Sequence, residues 1–133
     1  MDLIGGLFEL GGMGSGDHHM ALALVGATAA SLPANVGENC ANAVKVWQSR
    51  ALATINHKIG FVHGAIEHPF PGRKNDRGYL SRWNIFLEHG FNPHTDLKWN
   101  TRWVLEFAGN KPDLERAFDR YLRARNEDVN ALD

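Results

Sequence analysis

The chain has 133 residues, a formal net charge of −1 and 44% hydrophobic residues, values that indicate one folded domain with its own apolar core. The near-neutral charge gives no overall attraction to nucleic acid or to an anionic membrane surface, so we expect neither as a partner. No run approaches the roughly 18 uninterrupted apolar residues of a membrane span, the start lacks the basic region of a signal peptide, and one cysteine cannot form an internal disulfide, so a cytoplasmic protein is expected.

Glycine dominates the N-terminal segment, residues 1–16, which holds six of the chain's 14 glycines. Its apolar residues argue against a solvated linker, so we expect a short strand or a turn with a sharply bent backbone. A helical part then covers residues 17–56. Its first helix is predicted at 17–30, with Asp17 suited to the N-cap or the first turn.

Apolar residues recur every three or four positions across residues 36–55, which predicts a second helix with one buried stripe. The stripe consists of Val36, Cys40, Ala43, Val44, Trp47 and Ala51. A free cysteine on such a face usually behaves as a small hydrophobic side chain. Packing is therefore the expected role of Cys40, and thiol reactivity is the alternative.

A strand–loop–helix unit is predicted at residues 57–90. Residues 58–68 favour a mostly buried strand, which Pro69 and Pro71 end because proline cannot donate to a ladder. The following helix is predicted at 76–89, with Gly90 as its C-cap.

The histidines of this unit separate if the strand forms. His63 and His68 are an odd number of residues apart and would face opposite sides of the sheet. We expect His68, at the end of the strand, to be the candidate metal ligand. His63 is expected to be a hydrogen-bonded core or interface histidine.

The C-terminal part, residues 98–127, contains a strand and a last helix. Apolar and polar residues alternate at 99–107, which predicts a half-exposed strand, and Pro112 marks the first turn of the helix. Four helical segments and two or three strands together predict an α+β fold: one helix-rich domain with about four helices and a small two- or three-stranded sheet.

A glycine-flanked acid at a helix start is the first candidate site. Glycine lets a substrate approach the backbone closely, and a carboxylate held there suits a general base, so Asp17 is a candidate catalytic residue. The alternative is that Asp17 only caps the helix. His18 and His19 point in different directions on a helix, so at most one of them shares a site with Asp17.

A basic cluster is the second candidate site. Guanidinium groups and the free N–H groups of a helix N-terminus both favour phosphate oxygens. Arg82 lies one helical turn beyond Gly78 and is expected to face inward beside Tyr79, whereas a solvated face is an equal alternative for Arg73 and Lys74. The cluster comprises Arg73, Lys74, Arg77 and Arg82.

Three motifs, in this order, carry a family resemblance: GSGDHHMA at 14–21, EHPFPGRKNDRGYLSRW at 67–83 and GFNPHTDLK at 90–98. From about residue 5 to residue 128 the chain resembles the C-terminal, acceptor-binding half of phage and bacterial glycosyltransferases of the GT-A type, related to galactosyltransferases. The resemblance implies a truncated GT-A fold, with Asp17 as the catalytic base and His68 helping to bind a divalent metal, Mn²⁺ or Mg²⁺. It also implies that Arg77, Tyr79 and Arg82 shape the diphosphate and acceptor side or hold the loop.

The sequence departs from this family pattern in two ways. Pro71 stands directly before Gly72, where the pattern has a second histidine, and proline cannot ligate a metal. The nucleotide-binding half and its Asp-x-Asp motif are absent from the sequence. We therefore expect a glycosyltransferase-derived domain repurposed as a phage-type protein-binding or inhibitory module, with a protein partner or as a homo-oligomer. The alternative is an active glycosyltransferase domain that binds a nucleotide sugar with a nucleotide half supplied in trans.

Overall fold

The computed structural model describes residues 2–67, 75–79 and 81–125. Within these residues the chain forms four α-helices and one antiparallel pair of strands, which confirms the predicted helix-rich α+β class. The helices are α1 (Gly16–Leu24), α2 (Glu38–Ile55), α3 (Arg82–Glu88) and α4 (Pro112–Ala124). The strands are β1 (Leu97–Trp99) and β2 (Leu105–Phe107), and short 3₁₀ turns span Asp2–Ile4 and Thr28–Ala30.

Two hydrophobic clusters hold these elements together. The first packs α1 and the N-terminal segment onto α2, and its buried members are Phe8, Ala23, Ala43, Val44, Trp47 and Ala51. The second joins residues from both halves of the chain: Met13, Cys40, Trp83, Phe86, Phe91 and Leu114. The predicted stripe of α2 is confirmed, because its residues from Cys40 to Ala51 supply both clusters.

Helix α1 is shorter than the predicted 17–30. It ends at Leu24 because the N–H of Gly26 bonds to Ala23 O and the N–H of Ala27 bonds to Leu22 O. This is the Schellman arrangement, which needs a left-handed residue after the helix, and Gly26 supplies it with φ +78°. Asp17 lies in the first turn, while Ser15 occupies the N-cap position.

Helix α3 begins later than predicted, at Arg82, because residues 75–79 form turns instead of helix. Its Trp83 and Phe86 are buried, as is Phe91 just beyond it, and the rings of Phe86 and Phe91 stack with centroids 4.0 Å apart. Gly90 was predicted as the C-cap, but His89 occupies that position and Gly90 follows it in the left-handed conformation, φ +55°.

The predicted strand at 99–107 is wrong, because the chain folds back there as a hairpin. Its register pairs Leu97 with Phe107 and Trp99 with Leu105. The reversal is local: the Asn100 side-chain oxygen accepts hydrogen bonds from the N–H groups of Arg102 and Val104, an asparagine turn that ends the first strand.

The predicted strand at 58–68 is also wrong for the residues that are described. Residues 59–67, called the exposed segment below, are irregular, and their large apolar side chains face solvent: Phe61 is 80% exposed, Val62 95% and Ile66 88%. A segment with a strand-like sequence forms a strand only where a neighbouring strand pairs with it. Among the described residues, β1 and β2 pair with each other and not with this segment. His68 and Pro71 lie outside the described residues.

Candidate functional site

The loop before α1 carries the first candidate residue. Residues 11–16, called the glycine loop below, lead into the helix with Ser15 in a left-handed conformation, φ 64°. The Ser15 hydroxyl does not cap the helix; it accepts a hydrogen bond from the Arg82 guanidinium instead. The first backbone N–H groups of α1 have no partner within the helix, as at any helix start, and the Ser15 side chain does not cap them.

Arg82 is the residue that joins the two candidate stretches. Only 5% of it is exposed, and its guanidinium lies 5.0 Å from the Tyr79 ring and 5.6 Å from the Trp83 ring, both within cation–π range. A Cβ on Gly14 would come within 3.3 Å of Arg82 Nη1, so the close approach depends on glycine. Arg82 thus faces inward beside Tyr79, as predicted, and holds the glycine loop.

The Arg82 guanidinium is not fully satisfied. Its Nε is buried and has no hydrogen-bond partner in the described part of the chain. A buried donor without a partner costs roughly 1–3 kcal/mol. Buried polar groups without a partner are often found where a protein has a function, so Arg82 and its neighbours form part of the candidate site.

The turn at 77–79 is anchored to the last helix. Arg77 Nη1 donates to the Tyr79 hydroxyl at 2.8 Å, and the Tyr121 hydroxyl of α4 donates to Arg77 O at 3.1 Å. Tyr79 keeps 44% of its surface exposed. The phenol and the Arg77 side chain therefore stand together at the surface, above the buried Arg82.

His19 is a core histidine. It is 2% exposed, and its ring packs edge-on against those of Phe8 and Trp83. Its Nδ1 lies 2.9 Å from Ser31 Oγ. The Ser31 hydroxyl already donates to Thr28 O, so it must accept from His19, and the proton of the neutral imidazole is on Nδ1.

Several effects lower the pKa of His19. Burial is the largest, followed by the charges of His18 and Arg82, and the charge of Asp17 opposes them. His19 is therefore a neutral imidazole that positions the start of α1. His18 is exposed beside it, which agrees with the expectation that at most one of the two histidines shares a site with Asp17.

The described site residues are thus brought together from two distant stretches. Asp17 is exposed in the first turn of α1, two residues after the serine that Arg82 binds, and Tyr79 covers that arginine. The structure thus joins the glycine loop, which leads to the exposed Asp17, to the buried Arg82, over which Tyr79 and Arg77 stand at the surface. Arg73 and Lys74 lie outside the described residues.

The described residues provide no ligand set for the divalent metal that the family resemblance implies. No group of three or more His, Cys, Asp and Glu side chains that could hold a metal ion is found among residues 2–67, 75–79 and 81–125. His63 is exposed, with its ring 4.7 Å from that of Phe61, so the core role predicted for it is wrong and the interface role stays a prediction. The described residues alone do not fit a metal, and the role of His68 stays a prediction.

Asp96 is a polar residue that the sequence patterns did not single out. Its carboxylate is 1% exposed and accepts hydrogen bonds from the backbone N–H of Asn92 at 2.8 Å and from Lys111 Nζ and Asn110 Nδ2 at 2.9 Å each. Burial raises the pKa of Asp96, but the hydrogen bonds outweigh it and hold the pKa below the ordinary value. Asp96 fastens the 91–96 loop to the start of α4.

Comparisons with known proteins found no relative of this chain. No protein-family model, no curated protein and no solved structure matches this chain. Among the helices that the structure describes, none is both long enough and apolar enough to cross a bilayer.

Proposed function

We propose that this chain is a glycosyltransferase-derived domain that contributes acceptor-side and catalytic residues to the transfer of a sugar from a nucleotide-sugar donor. The observation that supports it is the contact between Ser15 of the glycine loop and Arg82, 67 residues apart in sequence. It joins the first and second resembling motifs, and Asp17, two residues after Ser15, is exposed to solvent.

The proposed chemistry uses Asp17 as a general base. Its carboxylate accepts the proton of an acceptor hydroxyl, whose oxygen forms a bond to the anomeric carbon of the donor sugar. The bond from that carbon to the diphosphate oxygen breaks, and its electron pair leaves with the nucleoside diphosphate. General-base assistance of this kind contributes typically about 10²–10⁴-fold.

The remaining residues position the reactants in this proposal. Arg77, Tyr79 and the first N–H groups of α1 bind the diphosphate oxygens in this proposal, because guanidinium groups and helix N-termini both favour phosphate. Arg82 holds the glycine loop, so it acts through Ser15 and Asp17 and does not touch the substrate. A divalent metal bound with the help of His68 would neutralise the diphosphate charge.

The experiment measures release of UDP from UDP-galactose and UDP-glucose, with Mn²⁺ and a panel of sugar acceptors. Asp17→Asn should lower transfer about 10²–10⁴-fold while leaving donor binding by calorimetry unchanged. The matched control is Glu38→Gln, which neutralises an exposed acid in the first turn of α2 and should leave transfer unchanged. Full activity of Asp17→Asn would refute the role of Asp17 as the base, and absence of both donor binding and transfer would refute transfer by this chain alone.

A second candidate function is protein binding, supported by the exposed segment. Residues 60–67 make no backbone hydrogen bond with the rest of the described chain, and their large apolar side chains are exposed to solvent. A β-strand edge of a partner would pair that backbone and cover those side chains. This candidate covers both a foreign protein, as in a phage-type inhibitory module, and a second copy of the chain.

The test of this candidate is light scattering together with amide hydrogen exchange. Pairing predicts a dimer or a stoichiometric complex in which residues 60–67 are protected, and Val62→Ser should dissociate it. Trp103→Ser, at a position that is 81% exposed on the hairpin, is the control. A monodisperse monomer with fast exchange at 60–67, whatever proteins are added, would rule the candidate out.

A further inference from the structure

A groove beside the first hydrophobic cluster is lined by three separate parts of the chain. Its floor is one face of α2, where Ala43, Val46, Trp47 and Arg50 recur at three- and four-residue spacing. One wall is the N-terminal segment around Leu7 and Glu9, and the other is formed by His94 and Trp99. Its volume is about 210 Å³.

The groove is held open by contacts of its own floor. Trp47 Nε1 donates to Gly6 O at 3.2 Å, which pins the N-terminal wall to α2. A Cβ on Gly5 would come within 3.1 Å of Arg50 Nη1, so the guanidinium lies close over that turn. The opposite wall is positioned by the hairpin register, in which Trp99 pairs with Leu105.

The rim of the groove carries an acidic, a basic and a histidine side chain. Within the described ranges the side chains of Glu9, Arg50 and His94 form no hydrogen bond or ion pair, and all three are exposed. Beside them Trp99 presents half of its surface, 49%, to solvent. A flat aromatic face next to unpaired planar hydrogen-bonding groups is therefore available to a ligand.

The chemistry of this lining selects the class of ligand. One acid and one arginine with a histidine favour neither a strong anion nor a cation. An indole face suits the C–H face of a sugar ring, and a carboxylate, a guanidinium and an imidazole suit its hydroxyl groups. Pockets for drug-sized ligands occupy roughly 300–1,000 Å³, so a groove of about 210 Å³ suits one sugar ring better than a whole nucleotide sugar.

We propose that this groove binds a neutral saccharide, with one ring stacked on Trp99 and its hydroxyl groups bonded to Arg50, Glu9 and His94. Asp17 does not line this groove, so the saccharide site goes beyond the proposed transfer site, and binding there needs neither donor nor metal.

The experiment is a ¹H–¹⁵N NMR titration of the full chain with methyl galactoside, methyl glucoside and N-acetylglucosamine, without nucleotide or metal. The chain has four tryptophans, so the indole N–H signals report separately on Trp99 and on the exposed Trp103. Binding should shift the Trp99 signal and leave that of Trp103 in place. Trp99→Ala should weaken binding about tenfold, a loss of about 1.4 kcal/mol.

Three variants sharpen the result. Trp99→Phe should recover most of the affinity because it restores an aromatic face, and Arg50→Gln should weaken binding without moving the rest of the spectrum. Trp103→Ala, on the same hairpin but outside the groove, should bind as the unmodified chain does. The spectra themselves show whether each variant is folded.

Two outcomes would overturn the inference. One is no shift of the Trp99 signal with any of the three sugars; the other is a shift with uridine but with no sugar, which would make the groove a nucleobase site. Saccharide binding without any UDP release would support the groove and refute the proposed transfer. UDP release with an unmoved Trp99 signal would do the reverse.

Discussion

The buried carboxylate of Asp96 gives a prediction whose size follows from its contacts. In Asp96→Asn an amide NH₂ replaces one oxygen and faces donors: at Oδ2 the backbone N–H of Asn92 and Lys111 Nζ, or at Oδ1 the Asn110 amide. Removing one partner of a buried, hydrogen-bonded charge pair costs about 3–5 kcal/mol. The lower end applies here, because the Lys111 side chain is 34% exposed and can turn its charge to water.

The expected loss in the free energy of unfolding is therefore about 3 kcal/mol. With a urea dependence of about 2 kcal/mol per molar, the unfolding midpoint falls by about 1.5 M. Tryptophan fluorescence follows the transition. The control is Asp119→Asn, which breaks a surface pair with Arg123 in which both side chains are mostly exposed and should barely move the midpoint.

The same carboxylate predicts an acid dependence. Because the folded pKa of Asp96 lies below its unfolded value of about 3.9, its contribution is complete above that pH and is lost as the pH falls through the folded pKa. In Asp96→Asn this part of the acid transition should vanish. A midpoint shift under about 0.5 M for Asp96→Asn, equal to about 1 kcal/mol, would refute the reasoning.

Three further predictions concern the core and the glycine loop. Burial raises the pKa of Cys40 to about 11, so DTNB should label it slowly in the native protein and at once in urea; rapid native labelling would contradict its packing role. The lowered pKa of His19 means that stability is present above the unfolded value of about 6.5 and falls below it; His19→Asn should flatten that dependence of the urea midpoint. Arg82→Lys removes the fork that binds Ser15 and should speed amide exchange across residues 11–16, whereas Arg102→Lys on the hairpin should not.

The helices could be predicted from the sequence where local pattern and packing agree. Helix α2 follows from its apolar stripe, and α4 follows from Pro112 and an inner face whose Leu114 and Ala117 are buried. The end of α1 was also encoded locally, by Gly26, but apolar residues beyond it suggested a longer helix. In the hairpin the signal was Asn100, whose turn-forming side chain interrupts a pattern that otherwise alternates like one strand.

The exposed segment shows why the rest could not be predicted. The apolar residues Ile59, Phe61 and Val62 are typical of a buried strand, but no local feature of the sequence indicates whether a neighbouring strand is present. Non-local contacts were missed for a related reason. The inward direction of Arg82 was predicted from helical spacing beyond Gly78, although residues 75–79 form turns and α3 begins at Arg82. Its bond to Ser15 depends on contacts between distant parts of the chain. Asp96 was missed because its donors come from two separate loops.

The bare backbone at residues 60–67 has one more consequence. A protease should cut there first, since an unpaired, solvent-exposed stretch fits an active-site cleft. The two fragments would still share a hydrophobic cluster, because Met13 and Cys40 pack against Trp83 and Phe86 across the cut. We therefore expect the nicked protein to stay together as a two-piece complex, and two separately expressed pieces to reassemble.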